Sequence, residues 1–335
     1  MLHLHAPPSG SPRRGASVAL TLWIALVATL GFVGSGTAGA SSAQSSSAVT
    51  ESSVKAAVAS ALALKSMPTK VSPSLYSFAL GTAPFGNSLA SGCKGLTTLQ
   101  SRLIISHCEF GDTSSDRVFM LVGDSKAQMW FDAIDGIAKT KHWKFYFLTK
   151  DSCPSAIGNF QVIGVARTSA WPECSAFNTF VLKAIKTIKP TFVIVSSAPN
   201  LLPYGQTSLA SPAAVTADFL DYFKRIPPSV KLAVLGGLPT APGLATPLCL
   251  SRMPADIQTC TFSPTASENQ QNAAQQAAAN KAGATFIDQG KWLCELGKCP
   301  PVISDFIPYW DGYHLDVPYT KYLIDVLWSA LSPVR

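Results

Sequence analysis

Between residues 118 and 288 the chain repeats one pattern: a short run of apolar, β-branched or aromatic residues, then a stretch of helical composition. The runs are 118–122, 144–149, 191–196, 231–236 and 284–288, with helices expected over 126–139, 175–188, 212–224, 266–281 and finally 318–332. Runs this short and this apolar fit strands buried on both faces, and their alternation with helices predicts an α/β fold with a parallel sheet covered on both sides. Sites in such sheets lie at the carboxyl ends of strands, so the loops after the first three strands are expected to converge. No internal repeat is visible.

The first of these strands ends at Gly123-Asp124-Ser125. A turn from strand to helix points free N–H groups at whatever the serine holds, and a serine there is a candidate nucleophile. The alternative is an ordinary turn in which Asp124 or Ser125 only caps the helix. Far downstream, the loop before the last helix carries Asp311 and His314, three residues apart. A serine nucleophile needs a base, and the base needs an acceptor on its other ring nitrogen to fix its tautomer. Asp-x-x-His supplies both, and taken with Gly-Asp-Ser it favours catalysis over two coincidental structural motifs.

Composition bears on where such a chain works. Charged residues make up only 13% and apolar ones 47% of 335 residues, lean in charge for a cytosolic enzyme. The N-terminus has Arg13-Arg14, an apolar core from about 18 to 33, and Ala38-Gly39-Ala40, which reads as a secretory signal over 1–40. The apolar core is long enough that an uncleaved N-terminal anchor is the competing reading, and membrane contact is expected only there. The net charge of +7, about +5 without the two signal arginines, is a modest surplus suited to anionic wall polymers or to solubility. No Lys/Arg run or aromatic-basic module points to nucleic acid. Residues 41–90 read as a Ser/Ala-rich linker and an N-terminal extension holding a short helix near 54–64, and residues 91–335 as the main domain.

All eight cysteines follow the signal, and an even number in an exported chain favours disulfides. Eight cysteines permit about 105 arrangements. The expectation adopted is sequence-local pairing: Cys93 with Cys108, Cys153 with Cys174, Cys249 with Cys260, and Cys294 with Cys299. Zinc competes only at the last pair, where the spacing is poor and no second ligand pair accompanies it. No cofactor is expected.

Several blocks together resemble a known family. Gly123-Asp124-Ser125 and Asp311-Gly312-Tyr313-His314 look like the first and last blocks of the SGNH (GDSL-type) hydrolases. The resemblance is sharper to the extracytoplasmic SGNH domain often fused to acyltransferase-3 membrane proteins that O-acetylate bacterial surface polysaccharides. Cys108 ahead of Val122–Ala127 carries it, with Leu148–Pro154, Cys174 before a helix ending in Ile188-Lys189-Pro190, Leu293-Cys294, Cys299-Pro300 and the 311–315 loop, covering about 90–333. It implies a three-layer α/β/α flavodoxin-like fold, with Ser125 as nucleophile, His314 as base and Asp311 as its orienting partner. It also implies an oxyanion site built on the Ser125 N–H, with Asn200 matching the family's asparagine and Ser152 standing where a glycine is usual, able to offer only its backbone N–H. The implied activity is that of a serine esterase or O-acyltransferase on acylated envelope carbohydrate, and the location extracytoplasmic, secreted or tethered. Two departures stand out. Lys126 replaces the usual histidine and reads as a solvent-facing helix residue, with a cation that aids an anionic acceptor as the alternative reading. The membrane acyltransferase portion is absent, so an acyl donor would be a separate membrane protein. A non-catalytic carbohydrate-binding or scaffolding domain is the rival reading. Trp130, Trp171 and Trp310 are candidates for a sugar platform, with packing as their alternative; His142 and His107 read as surface or loop residues.

Overall fold

The structure is a computed structural model that describes residues 48–82, 108–161, 171–241, 246–252 and 255–335. The signal-like segment, Cys93 and His107 lie outside the described residues.

Six strands form one sheet: β1 (Glu109–Gly111), β2 (Val118–Gly123), β3 (Lys144–Thr149), β4 (Phe192–Ser196), β5 (Lys231–Leu235) and β6 (Thr285–Ile287), in the spatial order β1-β3-β2-β4-β5-β6. The five expected strands form within one residue at either end and pair in parallel. The sixth, β1, is an antiparallel edge strand beside β3, too short to carry a periodic signal. Every residue of β4 and all but the first of β2 are buried, which is why these segments read as unbroken apolar runs. Phe119 stacks between its register partners Phe145 and Phe192, with ring centroids 5.3 and 4.8 Å apart. Burial of each such side chain contributes roughly 1.5–3 kcal/mol.

The helices are α1 (Glu51–Ala61), α2 (Leu75–Ala79), α3 (Ser125–Gln128), α4 (Phe131–Lys141), α5 (Pro172–Ile188), α6 (Pro212–Lys224), α7 (Thr246–Arg252), α8 (Ala266–Lys281), α9 (Val317–Tyr322) and α10 (Ile324–Ala330). The chain leaves β2 for β3 in one direction and proceeds from β3 through β4 and β5 to β6 in the other. With right-handed crossovers this places α4 on one face and α5, α6 and α8 on the other. In keeping with that, α6 packs on α8, and α4 packs on α9 and α10. The result is the expected three-layer α/β/α fold, with its topological switch point at β2. Gly123 is level with Thr149 of β3 and Ser196 of β4 at the carboxyl edge, so three loops start side by side there.

Two helices differ from expectation. The one expected over 126–139 breaks at Met129-Trp130, where Trp130 is buried and its indole N–H donates to Gln289 Oε1 at 2.8 Å. The last helix divides at Leu323. In the N-terminal extension, α1 packs on the body and buries Val54, Val58 and Ala61 in the main core.

Cys153–Cys174, Cys249–Cys260 and Cys294–Cys299 are disulfides, as local pairing expected, and the last removes the zinc alternative. Cys108 is also disulfide-bonded. Among the described residues no helix is long and apolar enough to cross a membrane.

Candidate active site

Gly123 closes β2 at φ 147°, and a Cβ there would stand 1.8 Å from the Ser196 carbonyl oxygen. Only glycine lets β2 meet β4 at this height. Asp124 then caps α3. Its Oδ1 accepts the Lys126 N–H at 2.8 Å, and its Oδ2 accepts the Ala198 N–H at 2.9 Å and the Ser197 hydroxyl at 3.1 Å. Burial pushes the Asp124 carboxyl pKa up, against the pull of those hydrogen bonds and of the Lys126 charge. Capping therefore falls to Asp124, and Ser125 is left available.

Ser125 opens α3, and its backbone N–H has no acceptor among the described residues. Its Oγ lies 2.8 Å from His314 Nε2, and His314 Nδ1 lies 2.8 Å from Asp311 Oδ2. The other carboxylate oxygen of Asp311 accepts the backbone N–H groups of Tyr313 and His314 at 2.6 and 2.7 Å. Burial works to raise the Asp311 pKa, but the hydrogen bond and charge of His314 and the two N–H groups outweigh it and hold the carboxyl below its ordinary range. An ionised Asp311 accepts a hydrogen bond from Nδ1–H and so keeps the proton on Nδ1, which leaves Nε2 as the acceptor for the serine hydroxyl. This is the arrangement in which a serine loses its proton as it attacks.

Ser125, His314, Asn200 and Ser152 all line one cleft of about 400 Å³, walled on its apolar side by Phe160, Leu202 and Leu238. Ser152 sits at φ 58°, in the left-handed region that favours glycine, so the backbone there takes a glycine's conformation although the residue is serine. Three loops are tied together beneath this cleft. Ser197 Oγ donates to Asp124 and accepts the Ser155 N–H at 3.0 Å, and Gln128 Nε2 donates to Asp151 Oδ1 at 2.6 Å, next to Ser152. Sequence reasoning missed Ser155, Ser197 and Gln128, because neither a small polar residue in a loop nor a glutamine at a helix end carries a signal of whom it will meet.

Lys126 corrects an expectation. It is buried, not solvent-facing; it lines the cleft, and its ammonium donates to the carbonyl oxygen of Tyr313, between Asp311 and His314. Burial pushes its pKa down, against the charges of Asp124, Asp311 and Glu268. The tryptophans divide as well. Trp130 and Trp171 are buried and unavailable as a platform, whereas Trp310 is 37% exposed and lines a neighbouring depression with Asp311. His142 is a surface residue that ends α4 and lies 3.0 Å from Asp112.

Residues 92–328 match the family described as the SGNH domain fused to AT3 (acyltransferase-3) domains. Among curated proteins none matches the sequence. Of solved structures, the periplasmic domain of a lipopolysaccharide acetyltransferase from Salmonella ser. Paratyphi A is similar at 14% identity and a TM-score of 0.58, covering 78% of this chain and 98% of its own. A carbohydrate acetylesterase from Sinorhizobium meliloti follows at 13% identity and a TM-score of 0.42, covering 66% of this chain and 100% of its own. A GDSL-like lipase from Bacteroides thetaiotaomicron stands at 11% and 0.42, with 65% and 89% covered. The match spans every strand of the sheet and both halves of the cleft, and the chain belongs to the SGNH domain family.

Proposed function

We propose that the chain is a secreted or envelope-tethered serine esterase or O-acyltransferase, acting on acyl esters, acetyl above all, of cell-envelope carbohydrate. The observation that carries this is the unbroken Ser125–His314–Asp311 chain, 2.8 Å at each step, at the mouth of a cleft. Ser125 Oγ attacks the ester carbonyl while its proton passes to His314 Nε2, and Asp311 stabilises the imidazolium. The proton then goes to the departing alcohol, leaving an acyl-enzyme that water or a sugar hydroxyl resolves. The developing oxyanion is assigned to the Ser125 N–H, the Ser152 N–H and the Asn200 amide, donors of the same cleft. Burying that charge in a partly dry site is what makes such donors effective.

Membership of a family fused to acyltransferase-3 domains supports a separate membrane acyltransferase as acyl donor, and the disulfides support an oxidising, extracytoplasmic location. The test is Ser125→Ala: hydrolysis of p-nitrophenyl acetate should fall by about 10³-fold or more with the melting temperature unchanged, and labelling by a fluorophosphonate probe should vanish. Activity retained in that variant refutes the reading. Absence of labelling in folded wild type supports the non-catalytic carbohydrate-binding domain instead.

A further inference from the structure

A second recess opens beside the cleft and shares with it a wall made of Pro199, Asn200 and Leu238. It encloses about 160 Å³, on the order of ten water-sized groups, which suits one pyranose ring. Its polar lining is amide and carboxyl, Glu268, Asn269 and Asn272 from α8, Asp288 after β6, and Asn200 from the cleft wall, set among prolines, glycines and Leu238. Glu268 is already committed, one oxygen to the N–H and hydroxyl of Thr240 and the other to the N–H and hydroxyl of Thr265. The rest keep free capacity. Asn272 Oδ1 accepts the Gly237 N–H at 2.7 Å, which leaves its amide donors, and Asp288 Oδ1 accepts the Gly290 N–H at 3.0 Å, which leaves Oδ2.

A ring hydroxyl is donor and acceptor at once, so amide donors beside a carboxyl acceptor suit adjacent hydroxyls of a sugar. No Lys, Arg or His lines the recess among the described residues, while two carboxyl side chains do. An anionic sugar or a phosphate would be repelled there.

We propose that this recess holds the neutral sugar ring whose hydroxyl carries or receives the acyl group, an inference that rests on the acyl-ester reading of the adjoining cleft. In transfer, the sugar oxygen bonds to the acyl carbonyl as its proton passes to His314 Nε2. The bond from Ser125 Oγ to the acyl carbon then breaks, and Oγ takes that proton back. In hydrolysis the sugar oxygen is the first leaving group and water the later nucleophile, so by microscopic reversibility the ring occupies one place in both directions.

The test reads binding where turnover cannot interfere. Methyl glycosides of glucose, galactose, mannose and N-acetylglucosamine are titrated into Ser125→Ala, and into Ser125→Ala with Asn269→Trp, which fills the recess from an exposed position of α8. At least one neutral glycoside should bind, with Kd rising about tenfold or more when Asn269 is replaced, and methyl glucuronide should bind more weakly than its neutral counterpart. If no neutral glycoside binds, or binding is unaffected by Asn269→Trp, or the glucuronide binds best, the proposal is overturned. If no neutral glycoside binds Ser125→Ala although wild type turns over p-nitrophenyl acetate, the recess alone is refuted. Sugar binding without turnover in wild type refutes the reading of the cleft and leaves the sugar site standing.

Discussion

Lys126 directly follows Ser125, where a residue on the first turn of a helix after a tight loop would ordinarily face water. Its ammonium instead reaches across to the Tyr313 carbonyl, so the nucleophile turn and the Asp311–His314 loop are clipped together by one side chain. Losing that donor would leave a carbonyl in the cleft wall without its partner, at a cost of about 1–3 kcal/mol, and would let His314 drift from Ser125. We expect Lys126→Met to lower kcat/KM for p-nitrophenyl acetate by roughly 10- to 100-fold, with Lys126→Arg recovering part of the loss. Equal kinetics in wild type and Lys126→Met would show that the clip does not position the loop. Ser152 teaches a related lesson. Read as letters, the chain lacks the glycine expected after the second parallel strand, yet its backbone there adopts φ 58°, so the conformation persists without the residue type that announces it. Ser125, Asp311 and His314 were legible because their chemistry demands particular side chains at particular ends of elements. Lys126, Ser155 and Ser197 were not, because their partners come from distant loops.

At the scale of elements, the five parallel strands could be read almost to the residue, since a strand buried on both faces has no choice but to be apolar throughout. Helix ends were less legible. The break between α3 and α4 comes from Trp130 turning inward to Gln289 and from Met129 lying under the 311–316 loop, where its sulfur accepts the Leu315 N–H at 3.4 Å. Both causes are tertiary. The start of α9 carries a different consequence. Asp316 caps it through Oδ1, which accepts the Tyr319 N–H at 2.8 Å, while Oδ2 is buried without a partner. Burial pushes this carboxyl up to about 8, against the pull of the Tyr319 N–H. The folded state therefore holds a proton that the unfolded chain releases near pH 4. The stability this group contributes is full below that point and declines as pH rises to about 8, by up to about 1.4 kcal/mol for each pH unit crossed. The substitution Asp316→Asn keeps a side-chain acceptor for the Tyr319 N–H and removes the titration. This variant should accordingly match wild type in urea unfolding near pH 4 and become progressively more stable than wild type up to pH 8. A gap that is constant with pH would contradict the assignment.

For the whole molecule, the blocks that resemble a known family begin near residue 90, and a reading by resemblance therefore starts the domain there. Packing begins earlier. The N-terminal helix α1 inserts Val54 and Val58 into the same core that holds the sheet, and the segment after it is tied on by backbone and side-chain bonds. Gln258 Nε2 donates to the Ala61 carbonyl at 3.0 Å, the Ile257 N–H to the Lys65 carbonyl at 3.1 Å, and Ser72 exchanges bonds with Asp305 and Ile307 at 2.7 and 3.0 Å. None of this was visible in an Ala/Ser-rich stretch, because weak amphipathicity over eleven residues does not say what lies opposite. Two fully buried valines alone are worth roughly 1.5–3 kcal/mol each, against a total stability of about 5–15 kcal/mol for a domain. A chain beginning at residue 91 should thus lose on the order of 3–6 kcal/mol in urea unfolding relative to one beginning at residue 48. Identical urea midpoints for the two chains would mean that α1 merely rests on the surface, and would return the boundary to residue 91.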